Sequence, residues 1–340
     1  MKIDREKFLN DLLAVKAGLS PREFIEQSSC FVFQDRHVMT FNDEVACRKE
    51  VDLDVTGAVQ ATTLLEILEK MDDKHLEVME NDEGELEFKG KRKAFGVTKD
   101  AEVFLPIDKV EVPKKWKKLE KEFTEAVGLT LKCVSEDESK FLLTCVNIHP
   151  DYIEACDNLQ IMRCRVSSPI EEAILVRGTS IAPITSLGMD KISFTKSWVH
   201  FKNHDGLILS CRSYAEDYPT LDKLIEVDGN SLILPKGVKD ASARAAVFAE
   251  DRSGDPYMNV SLRKGKIRLA GQGLTGWYRE VKEVTYEGPE IDFVIRPQLL
   301  QHISENYAEA TISDRKLKAE GANWVYVTVL GIVGAASDSE

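Results

Sequence analysis

The sequence has no apolar run long enough to span a bilayer. Its longest mostly apolar stretch, residues 324–336, is short and interrupted by glycines. The charged start MKIDREKFLN has no apolar segment of the secretory kind, so no signal peptide is expected. The seven cysteines, Cys30, Cys47, Cys133, Cys145, Cys156, Cys164 and Cys211, are odd in number and include no C-x-x-C pair. A disulfide framework is therefore not expected; the thiols read as reduced, buried apolar groups in a cytoplasmic protein. Positive charge is also short: 45 Lys and Arg against 58 Asp and Glu leave a net charge of −13. That excludes a coat of basic surface for nucleic acid and leaves room for one basic face.

Catalytic signatures are equally thin. Residues 271–276 spell G-x-G-x-x-G, but a β pattern follows where a dinucleotide site needs a helix. His200 and His204 are four apart in a segment that alternates like a strand, with no third ligand near them. His149 with Cys145 or Cys156 lacks any thiol-enzyme context. The carboxylates are scattered, and no acid–base pair stands out. The expectation is a protein with no catalytic residues, no metal and no cofactor.

What the sequence does have is a repeat. Residues 291–306 read IDFVIRPQLLQHISEN, a short strand that turns at Arg296-Pro297 into a helix with Leu299, Leu300 and Ile303 at helical spacing. Residues 56–71 and 173–188 carry the same corner. Val59, Val176 and Ile295 align at intervals of 117 and 119; Leu64, Ile181 and Leu300 follow in step, then Ile67, Ile184 and Ile303. A period this long belongs to whole domains. Each corner is preceded by a longer helix, over 5–19, 120–134 and 235–249, whose Phe8, Phe123 and Val238 are 115 residues apart. Strands fill the rest, among them 141–148, a run 191–202 turning at 203–206, and 309–320. Each copy reads helix, antiparallel strands, short helix, hairpin: an α+β layer with both helices on one sheet face. The expected boundaries are 1–112, 113–222 and 223–333, with a disordered acidic tail at 334–340. The connector 104–118 carries Lys114-Lys115-Trp116-Lys117-Lys118, which reads as a solvated linker, with a direct nucleic-acid contact as the alternative.

If Phe8, Phe123 and Val238 point at the sheet, about 100° per residue places Lys121, Lys132, Lys236 and Arg244 on the opposite faces of the second and third long helices. The first offers only Asn10 and Ala17 there, and the short helices offer Lys70, Gln298 and His302. Such sparse cations are either a generic solvated face or a hole that meets phosphates without reading bases.

In order and spacing the chain resembles the bacterial-type DNA polymerase sliding clamp, the beta subunit of the replicative polymerase, in a divergent form. The segments that carry the resemblance are 238–248 (VKDASARAAVF), 283–288 with 291–300, and 210–221 (SCRSYAEDYPTL). The resemblance implies a DNA clamp fold of three repeated domains. It implies two chains joined head to tail, sheets outside and helices lining a hole around duplex DNA, with the polymerase and a clamp loader as partners. DNA-facing residues would be Lys70, Lys121, Lys132, Lys236, Arg244 and His302. A pocket for partner peptides would draw on Leu142, Cys156, Leu159, Ile161, Leu224, Val227, Val329 and Leu330. The family's Thr-Asp-Gly-His-Arg turn is here Cys156-Asp157-Asn158-Leu159-Gln160, and its usual chain end is replaced. The ring interface would set Phe95 and Val97 against Val247 and Phe248. A clamp-fold interaction scaffold that does not encircle DNA is the alternative, and a trimer stays open beside the dimer.

Overall fold

The computed structural model describes residues 1–249 and 257–332, which form two compact units. The expected tail, 334–340, lies outside the described residues. The first unit holds Met1–Leu131, Cys145–Asp151 and Ser167–Asp217; the second holds Lys132–Thr144, Tyr152–Val166 and the chain from Tyr218 onward.

In the first unit twelve antiparallel strands make one continuous sheet. It begins at Lys2–Asp4 and passes through His75–Glu80, Glu85–Lys89, Ala94–Asp100 and Gly57–Gln60. Three meander strands follow, Cys30–Gln34, His37–Phe41 and Val45–Glu50. The last of these pairs with Ile208–Arg212 in the register Val45 to Cys211 and Arg48 to Ile208, so one strand pair joins the first and second copies of the repeat. Trp198–Asn203, Met189–Thr195 and the two-residue Lys117–Lys118 complete the sheet. In the second unit the same kind of join links Gln160–Arg165 to Trp324–Val329. A separate five-stranded sheet there runs Gly276–Glu283, Lys266–Gly273, Met258–Arg263, Ile291–Ile295 and Gly331–Ile332.

The helices follow the spacing that predicts them. Lys121–Thr130 buries Phe123, Ala126, Val127 and Thr130, and Val238–Ala246 buries Val238, Ala241, Ser242 and Ala245. Both use i, i+3, i+4 and i+7, one face of a helix. In Arg5–Ala14 Phe8 and Leu12 do the same work, and the Asp4 carboxylate caps the start by accepting from Lys7 N at 3.0 Å. The aligned residues Val59, Val176 and Ile295, and Leu64, Ile181 and Leu300, are all buried. The architecture is α+β, with helices laid on antiparallel sheets.

Several elements end earlier than their pattern. The first two long helices pass into 3₁₀ turns at Lys16–Gly18 and Leu131–Cys133, and the third stops at Ala246. The expected strand 141–148 opens as a 3₁₀ turn, Phe141–Thr144, closed by the Thr144 hydroxyl on Phe141 O at 2.7 Å; only Cys145–Ile148 is extended. The run 191–202 is two strands with a turn at Lys196-Ser197, and 309–320 is two strands with a turn at 313–315.

Candidate functional site

The six expected DNA-facing residues differ in their freedom. Lys70, Lys132 and Lys236 are exposed. Lys121 is exposed too, but its ammonium pairs with Glu125 one turn on, at 2.8 Å. Arg244 is more firmly held. Its guanidinium lies 2.7 Å from Glu280 and 2.7 Å from the Tyr278 hydroxyl, and that hydroxyl also donates to Glu280. Lys282, Tyr278 and Arg244 together hold the Glu280 carboxyl down to about 2. His302 is half-buried, packed edge-on against Tyr307 at 5.8 Å and Tyr326 at 5.6 Å. Its Nε2 is enclosed and has no hydrogen-bond partner among the described residues. Burial, then the charge of Lys132, lowers its pKa, which favours the neutral ring.

Lys132 does not stand alone. A surface pocket of about 580 Å³ in the second unit is lined by Lys132, Gln298 and Arg296, with Glu136, Asp137 and Asp157. In the sequence Arg296 reads only as the turn of the corner and is not counted among the cations, although the repeat marks its position. It follows Ile295 as Arg177 follows Val176 and Gln60 follows Val59, and all three stand at the N-cap position of a short helix without a side-chain capping hydrogen bond.

The expected peptide-pocket residues fall into three groups. Cys156 and Ile161 are buried in one apolar cluster with Leu221, and Leu143, Tyr218 and Ile225 pack on it. Leu159 and Val329 are tied together, Val329 N donating to Leu159 O at 2.8 Å, and Leu330 is buried with its N–H on Arg315 O at 2.7 Å. Leu224 and Val329 are exposed, while Leu142 and Val227 are half-buried and stand outside the cluster, where Leu143 takes the place expected of Leu142. The Asp157 turn is a side-chain-capped loop, with Leu159 N and Gln160 N donating to the Asp157 carboxylate at 2.6 and 2.8 Å. Sequence reasoning missed Tyr218, whose hydroxyl accepts from Cys156 N at 2.9 Å. The only signal was its position beside Pro219 in the segment 210–221.

Of the expected ring residues, Phe95 and Val97 lie on a strand, and Val247 and Phe248 lie in the turn after the helix Val238–Ala246. Phe95 stacks on Phe88 at 4.7 Å and Val97 is buried. Their strand, Ala94–Asp100, pairs with Glu85–Lys89 through Thr98 but with Gly57–Gln60 only at Lys99 and Asp100, which leaves one side of 94–98 open. Val247 is 69% exposed. Phe248 is half-buried, its ring over Gly276, where an added Cβ would come within 3.1 Å. Gly276, at φ +151°, opens the strand Gly276–Glu283, which among the described residues is paired on one side only, with Lys266–Gly273. That open edge exposes Trp277 and Val281, with Arg279 over the Trp277 ring at 5.2 Å.

The other candidates have structural roles. The G-x-G-x-x-G segment is the β-hairpin between those two strands, and Gly271 faces Ala245 so closely that a Cβ would lie 2.0 Å from its carbonyl oxygen. His200 is buried, its ring nitrogens 2.9 Å from the Thr195 hydroxyl and 2.7 Å from the Ser210 hydroxyl. No group of three metal-ligating side chains occurs among the described residues, and none of their helices is long and apolar enough to cross a membrane.

No protein-family model and no curated protein matches the chain by sequence. Solved structures match it along its whole length. The DnaN sliding clamp (DNA polymerase III subunit beta) of Bartonella birtlesii, bound to griselimycin, gives a TM-score of 0.85 at 15% identity, over 98% of this chain and 99% of that one. The DNA polymerase sliding clamp of Bacillus subtilis gives 0.79 at 17% identity over 97% and 98%. The DNA polymerase III beta subunit of Thermotoga maritima gives 0.80 at 13% identity over 97% and 98%. The chain has the DNA sliding clamp fold. Identities this low make it a divergent form of that fold. In the clamp fold of this chain, the cations, the Cys156 cluster and the two open edges belong to different elements, and no two of these features share a residue.

Proposed function

We propose that this chain is a DNA sliding clamp, a processivity factor without catalytic activity. Two copies join head to tail into a ring of six domains, with boundaries at 1–112, 113–222 and 223–333 in each chain, around duplex DNA. The observation that carries the reading is the full-length match: the fold of known sliding clamps accounts for 97–98% of the chain. The open edge of Ala94–Asp100 in one copy receives Gly276–Glu283 of the other, and Phe95, Val97, Val247 and Phe248 fill the seam with Trp277. An edge that stays unpaired in a monomer is a liability that such pairing removes. Lys70, Lys132 and Lys236 meet phosphates weakly and without reading bases, as sliding requires. DNA polymerase and a clamp loader dock by short segments on the Cys156, Ile161 and Leu221 cluster, rimmed by Leu224 and Val329.

The test is topological. Light scattering should give twice the 38.2 kDa chain mass. Protein assembled on nicked circular DNA should remain through a salt wash and be lost when the circle is cut. A monomer, or equal retention on circular and linear DNA, would overturn the ring and leave a clamp-fold scaffold that does not encircle DNA.

A further inference from the structure

The ring reading makes no use of the run Lys114-Lys115-Trp116-Lys117-Lys118. In the first unit this run forms one wall of a groove of about 670 Å³, a size typical of ligand sites. Trp116, Ile170, Ile174 and Phe194 give the groove its apolar surface, and Lys115, Lys117 and Lys196 line it together with Glu171 and Glu172.

The groove lies where the twelve-stranded sheet stops. Lys117–Lys118 is the terminal strand, and it pairs with only Ile192 and Lys191 of Met189–Thr195. From Ser193 to Thr195 that strand has Trp198–Asn203 on one side and, among the described residues, no strand on the other. An open edge beside an apolar trough suits the addition of an extended segment, whose main chain pairs with the edge while alternate side chains enter the trough. The walls are already tied in place. Lys117 Nζ donates to Pro169 O at 2.8 Å, the Ser193 hydroxyl donates to Lys115 O at 2.7 Å, and the Lys202 ammonium lies 5.8 Å from the Trp116 ring centre. Such preorganisation lowers the cost of binding.

Charge selects the occupant. The lining lysines are joined on the same strand pair by exposed Lys191 and by Lys118, whose ammonium pairs with Glu120 at 2.9 Å, in a chain of net charge −13. Glu171 and Glu172 in the same lining repel a continuous phosphate backbone but leave the lysines for isolated carboxylates. We propose that this groove binds an extended acidic peptide segment of a partner protein, with one large apolar side chain against Trp116 and Phe194 and its carboxylates on Lys115, Lys117 and Lys196. The site uses none of the Cys156 cluster and does not depend on ring closure.

Panning a random dodecapeptide display library on the full-length protein tests the proposal. Enriched peptides should combine an aromatic or large aliphatic residue with Asp or Glu. Their affinity should fall about tenfold in both Trp116→Ala and Lys196→Glu and stay unchanged in Leu224→Ala. Lys196 is exposed in a turn, so its variant keeps the fold if Trp116→Ala does not. The proposal fails if no enriched peptide loses affinity in Lys196→Glu. It also fails if labelled oligothymidylate binds in a Trp116-dependent way and these peptides do not.

Discussion

The charge of a single side chain in this molecule is set by its neighbours more than by its residue type. Arg244 sits on the helix face that spacing assigns to DNA, yet Glu280, 36 residues further on, already neutralises it. Glu280→Gln should therefore strengthen retention on circular DNA and make it more salt-sensitive, with a slope steeper by up to about 0.9 for one added phosphate contact. Retention measured across a salt series decides this; an unchanged slope would leave Arg244 as solvated surface. His200 shows the opposite case, a titratable group kept neutral. Burial pushes its pKa down to about 4 from an ordinary 6.5. Between those values the unfolded chain binds the proton and the folded chain does not, so stability falls as pH drops from 6.5 towards 4, by about 3 kcal/mol at most. Denaturation at pH 7 and pH 5 should show a larger loss for the native protein than for His200→Gln.

Individual elements show what periodicity carries and what it cannot. The phases of the three long helices were legible because burial of one face forces i, i+3, i+4 spacing, and Phe8, Phe123 and Val238 all lie inside. The turn at Lys196-Ser197 was not legible: it shifts the alternation by one residue, setting Ile192 and Phe194 on the face of Phe201 and Val199, but Trp198 and His200 on the other face are buried too and hide the change of phase. Nor were the open edges: alternation reports which face is buried, while pairing depends on strands far away in sequence. Cys156 and Ile161 of the candidate pocket could be placed by position, whereas Tyr218 and Leu221 join them through a fold no local pattern contains. Gly271 marks the point where a helix crosses a strand with no room for a side chain. Gly271→Ala drives a Cβ into the Ala245 carbonyl and should destabilise the protein by about 1–3 kcal/mol in chemical denaturation. On the strand that Gly276 opens, Trp277→Asp should convert a dimer to a monomer by light scattering, because it places a charge in an apolar seam. Phe248→Asp should do the same, and an unchanged mass in both would place the seam elsewhere.

For the whole molecule, net charge and fold act together. A body at −13 repels DNA from its surface at large, so the proposed function requires retention to come from encirclement and a few cations. Replacing Lys132 and Lys236 together by Ala should weaken retention on circular DNA and flatten its salt dependence by up to about two phosphate contacts, with dimer mass unchanged. The two open edges have one more consequence. They are different surfaces, so in the proposed head-to-tail assembly each copy carries a donor edge and an acceptor edge, and a pair joined once still has one of each to offer. Whether the second junction forms within the pair or with a third copy depends on the angle of the first. A substitution that tilts that angle without weakening the seam would turn a closed assembly into a growing filament.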